Sequence, residues 1–121
     1  MYKFLNENPN NLYTGDCVIR AIATVLGKPW EDTYMDVALQ GLYMGRMPDD
    51  NAVWGAYLYN KGFVKGGDCP NCYTVREFAR DNDIGTYVIG TGTHAVALIN
   101  GTYYDTWDSG DETVAYYWKE V

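Results

Sequence analysis

Residues 17–26, Cys-Val-Ile-Arg-Ala-Ile-Ala-Thr-Val-Leu, leave only Arg20 and Thr24 as a polar edge, and those two stand one helical turn apart. A helix with so narrow a polar stripe cannot lie on a surface; the rest of the chain must enclose it. Asp16 stands where a carboxylate can cap free backbone N–H groups, and Gly27 stands where the helix has to stop. The thiol of Cys17 therefore falls on the first turn of a central helix.

Three further helices follow. The second is predicted from Pro29, at a first helical position, to about Leu39, with Gly41 as its stop and Trp30, Tyr34, Val37 and Ala38 as its stripe. The third runs from about Asn51 to Lys61, capped by Asp50 or Asn51 and closed by Gly62, with Val53, Ala56, Tyr57 and Asn60 on one side. The fourth opens with Thr74 and Glu77 in capping-box spacing and turns Val75, Phe78 and Ala79 inward. From Gly85 onward the period becomes extended. The runs TYVIG, HAVALI, TYYDTW and TVAYYW are short, rich in β-branched and aromatic residues, and separated by Gly, Asn and Asp. The expected fold is α+β, with N-terminal helices packed on a short C-terminal antiparallel sheet.

Composition narrows the function classes. A length of 121 residues with 47% apolar side chains suits one domain, residues 1–121, with its own core. Sixteen acidic residues against nine basic ones offer no broad positive field, so nucleic acid is not an expected partner. No run is apolar enough for a signal peptide or a membrane span, which predicts a cytoplasmic protein without a membrane partner. Three cysteines cannot all pair internally, and the thiols are expected to be reduced.

Asn100-Gly101 between two strand-like runs is the signature of a type I′ hairpin. A two-residue loop sets Ile99 opposite Thr102, Leu98 opposite Tyr103, Val96 opposite Asp105 and His94 opposite Trp107. Alternation then makes His94 and Asp105 diagonal neighbours, roughly 7–8 Å apart at the backbone, and sends Asp108 to the other face. His94 is the only histidine. A carboxylate beside it fixes its tautomer and favours imidazolium. A thiol at a helix N-terminus is also biased toward thiolate, and a nearby imidazolium biases it further. Cys17, His94 and Asp105 thus form a candidate nucleophile, base and orienting acid, with the Cys17 N–H available to an oxyanion. Trp107 and Asp16 are the residues expected to border the substrate.

The order of Cys17 on an N-terminal helix, followed by His94 and Asp105 on C-terminal strands, resembles papain-like cysteine peptidases. The Asp16-Cys17 pair before a small apolar helix is similar, more narrowly, to the domains that trim double-glycine leaders of bacteriocins. A glutamine six residues ahead of the cysteine donates to the oxyanion in both groups; Asn11 occupies that position here, one methylene shorter. The GDCVIRAIA stretch is also similar to that of small proteins from Gram-positive bacteria and their phages. The resemblance implies a papain-like fold and acyl transfer on a peptide, protein or other amide, with Cys17, His94, Asp105 and Asn11 as catalytic residues and no cofactor or metal.

Two other readings use the same residues. Cys69-Pro70-Asn71-Cys72 is a CxxC that could be half a zinc site, a redox pair or a loop. A closed zinc site would have to recruit Cys17 and His94 and would abolish the nucleophile. Alternatively, the papain-like frame could serve a binding protein with little turnover, such as a phage factor that sequesters a ligand or blocks a host defence protein. The abundant tyrosines and tryptophans would then supply contact area.

Overall fold

In the computed structural model, which describes residues 1–121, the chain runs β1 (Tyr2–Phe4), α1 (Cys17–Leu26), α2 (Trp30–Met44), α3 (Asn51–Asn60) and β2 (Phe63–Gly66). It continues with α4 (Val75–Asp81), β3 (Thr86–Gly90), β4 (Ala95–Ile99), β5 (Thr102–Asp105) and β6 (Tyr116–Glu120). Helix α1 is buried as its sequence demands, through Ile19, Ala21, Ile22, Ala23 and Val25. Val18, Ile19, Ile22, Thr24 and Val25 are β-branched and poor helix formers, so packing rather than propensity holds this helix. Gly27 closes it in the left-handed conformation at φ 62°.

The six strands form one sheet in the order β1-β5-β4-β3-β6-β2. Helices α1 to α3 cover one face, packing on Phe63, Val88, Ala95 and Ala97. Helix α4 covers the other, with Ile89, Val96, Leu98 and Tyr103. The central strands β3 and β4 are therefore apolar on both faces, and α1 lies directly on β4. The Asn100-Gly101 turn has positive φ at both positions, 48° and 81°, and pairs Ile99 with Thr102 and Leu98 with Tyr103 as the sequence predicts.

The sheet is larger and more mixed than expected. Strand β1 pairs parallel to β5, and β2 joins the far edge against β6, so the sheet is neither wholly C-terminal nor wholly antiparallel. Strands of three and four residues carry too little periodicity to be read from sequence. Helix α2 continues past Gly41 to Met44 and ends at Gly45, which has φ 68°. Gly41 keeps helical geometry and makes room for the returning chain, because a Cβ there would lie 2.7 Å from the Arg46 carbonyl oxygen. Pro29 is the cap residue of α2 rather than its first helical residue. In α3 the buried set is Val53, Trp54, Gly55, Tyr57 and Leu58, while Asn60 is exposed. Cys69 and Cys72 are joined as a disulfide, against the expectation of reduced thiols, and Cys17 is the one free cysteine. No helix is long and apolar enough to cross a membrane.

Candidate active site

The site lies where the start of α1 meets the start of β4 and the end of β5. Asp16 occupies the cap position of α1 but makes no capping bond there. Its carboxylate turns instead to Arg20, whose Nε donates to Oδ1 at 2.8 Å, and to Trp30, whose indole N–H donates to Oδ2 at 3.0 Å. Asn8 adds a third donor at 3.4 Å. With the cap unused, the Cys17 N–H has no acceptor within the chain and remains free at the helix's positive end.

His94 stands just before β4, after the turn at Gly92 and Thr93 that returns the Thr91 N–H to the His94 carbonyl at 2.9 Å. Strict alternation would group it with Val96 and Leu98 on the face covered by α4. The pleat starts only at Ala95, and the His94 side chain instead meets Cys17, whose helix packs on the opposite face. Its Nε2 lies 2.6 Å from Asp105 Oδ2. That bond leaves Nδ1 as the ring nitrogen able to exchange a proton with the thiol.

Asp105 is 2% exposed and fully partnered. His94 and the Ser109 hydroxyl, at 2.8 Å, bond Oδ2; the Thr106 N–H, at 2.8 Å, and Arg20 Nη1, at 3.1 Å, donate to Oδ1. Burial pushes its carboxyl up, but the bonds from His94, Ser109 and Thr106 outweigh that and hold it below the usual range. Burial likewise disfavours the His94 cation, yet the bonds to Asp105 and Cys17 prevail and raise its pKa to about 9. For Cys17, burial acts to raise the thiol pKa. Hydrogen bonding from His94 and the Ala95 N–H, with the charges of His94 and Arg20, reverses the balance and lowers it. Both shifts favour the thiolate–imidazolium form of the pair.

The pair opens on a pocket of about 230 Å³ lined by Gly15, Cys17, Asn51, Thr93, His94 and Tyr116 among others. The Trp107 ring, half-exposed, lies 5.1 Å from the imidazole but does not line this pocket. Asp16 borders an adjoining pocket with Trp30 and Tyr34, but its bonds to Asn8, Arg20 and Trp30 already engage both carboxylate oxygens.

Asn11 is a correction. It is exposed, sits in a left-handed turn at φ 54°, and does not line the Cys17 pocket. The side-chain amide that does line it is Asn51, at the start of α3; its Oδ1 accepts from the Trp54 indole at 2.9 Å, which leaves its N–H groups unengaged. Asp108 binds Tyr103, Gly110 and Arg76 and takes no part. No cluster of three metal-ligating side chains forms, and the Cys69–Cys72 disulfide borders a different pocket from Cys17 and His94. Arg20 and Ser109 are the members that the sequence did not reveal. The one usable signal was a charge four residues after Asp16 inside a buried helix.

No protein-family model, curated protein or solved structure matches the chain.

Proposed function

We propose that this chain is a cysteine-nucleophile hydrolase or acyl transferase of papain-like type, acting on a peptide or other amide bond through Cys17, His94 and Asp105. One observation carries the proposal: the only free thiol and the only histidine meet at the mouth of a pocket, with the histidine held from behind by a buried carboxylate.

In the reaction, Cys17 Sγ attacks the carbonyl carbon and the C=O electron pair moves to oxygen. The Cys17 N–H, with the Asn51 amide across the pocket, meets the oxyanion. The tetrahedral centre collapses, the C–N bond breaks, and His94 Nδ1 gives its proton to the leaving amine. Water, or an acceptor amine, then attacks the thioester as Nδ1 takes a proton from it, and the thiolate departs. Asp105 keeps the imidazole oriented and cationic where needed.

A second reading, a binding protein with the same frame, draws on the half-exposed Trp107 beside His94. An activated ester separates the two. A nitrophenyl ester should give a burst of nitrophenol equal to the protein concentration, with the acyl group on Cys17, and His94→Gln should abolish the burst. Acylation no faster than that of a free cysteine would leave binding as the function.

A further inference from the structure

The nucleophile and its base stand on different layers of the fold: Cys17 on α1, His94 and Asp105 on the ends of β4 and β5. Van der Waals contact between α1 and the sheet sets the layer spacing but permits sliding, and a thiol–imidazole pair tolerates little displacement. A directional tie at the site itself is needed.

Arg20 is placed to supply it. It lies one turn after Cys17, its side chain is 11% exposed, and its guanidinium bonds two buried carboxylates at once. On its own helix Nε donates to Asp16 Oδ1 at 2.8 Å; across the layers Nη1 donates to Asp105 Oδ1 at 3.1 Å. Asp16 is itself fixed by Trp30 and Asn8, so the far end of the tie is rigid. The contact to Asp105 falls on the oxygen that His94 does not use, which leaves Oδ2 directed at the imidazole. Only a planar, multi-donor cation can hold both carboxylates in this geometry; lysine offers a single point charge.

We propose that Arg20 is a positioning residue of the site, a clamp from Asp16 to Asp105 that locks the nucleophile-bearing helix to the strand holding its base. The clamp acts through Asp105 and touches no substrate. It gives the Asp16-Cys17 pair a physical role, in which the acid preceding the nucleophile anchors the arginine instead of meeting substrate. The proposal rests on Cys17 being the nucleophile.

The test uses the folded full chain and the rate at which iodoacetamide alkylates Cys17, the only free thiol, from pH 5 to 9. Wild type should alkylate well below pH 8. Arg20→Lys and Asp16→Asn/Arg20→Gln, the second removing both charges together so that neither is left buried alone, should cut the rate at pH 6 at least tenfold and move the profile toward that of a free cysteine. Circular dichroism reports folding, and a tie needed only for folding would lower the melting temperature without moving the alkylation profile. An unmoved profile in both folded Arg20 variants overturns the clamp. A wild-type profile equal to that of free cysteine overturns the nucleophile itself, and the clamp with it.

Discussion

Asp105 is the residue on which the site turns, because one buried carboxylate aligns an imidazole, takes a hydroxyl and a backbone N–H, and meets a guanidinium. Replacing it with Asn keeps the shape and removes the charge. His94 then loses the partner that holds its pKa near 9, and alkylation of Cys17 at pH 6 should fall on the order of tenfold or more, since one pKa unit is a tenfold change in population. Ser109→Ala removes a single neutral donor to the same carboxylate. It should cost about 1.5–3 kcal/mol of stability and a smaller part of the reactivity, measured by urea unfolding and alkylation of the same sample. The Asn-Gly turn made the proximity of His94 and Asp105 legible by fixing the register of β4 on β5, although alternation gave His94 the wrong face because the pleat starts only at Ala95; Cys17 was legible from its place at the start of the apolar helix. Ser109 was not legible, since it reaches Asp105 from an irregular segment with no period. Asn11 misled for a related reason: distance along the chain from a nucleophile says nothing of direction once the intervening loop turns left-handed.

At the scale of elements, strong local chemistry was readable and weak local chemistry was not. The Thr74–Glu77 capping box forms with both reciprocal bonds, and Thr74→Ala should cost about 1 kcal/mol in thermal or urea unfolding. Helix α1 follows from its composition, and β3 to β5 follow from theirs. Strands β1 and β2 escape because three or four residues between loops carry no pattern that a loop could not also carry. Gly41 shows a glycine serving proximity rather than termination. Gly→Ala in a helix normally gains up to about 1 kcal/mol. Here the new methyl would press on the Arg46 carbonyl, a backbone atom that cannot swing aside, and overpacking of that kind costs about 1–3 kcal/mol. Gly41→Ala should therefore lower the melting temperature, whereas a rise would show that the chain between Arg46 and Pro48 yields easily.

For the whole molecule, the fold biases Cys17 and His94 toward their charged forms, and its stability must carry their signature. His94 has its pKa raised from 6.5 to about 9, so the stabilisation owed to its proton is complete below 6.5 and disappears as pH rises through about 9. Cys17 is shifted the other way: its contribution is present above the ordinary value of 9.0 and is lost as pH falls through its lowered value. With the thiol removed so that only the His94 contribution remains, the stability gap between Cys17→Ala and Cys17→Ala/His94→Gln, read from urea midpoints, should accordingly shrink from pH 6 to pH 10. The most direct test follows from the chain having one histidine. The imidazole resonances of wild type and Cys17→Ala, followed by NMR from pH 5 to 10.5, report the pair without a substrate. The thiolate–imidazolium pair predicts that His94 stays protonated through pH 7 and titrates near 9 in wild type, and at a lower pH once the thiol is removed. Titration near 6.5 in both proteins would contradict it.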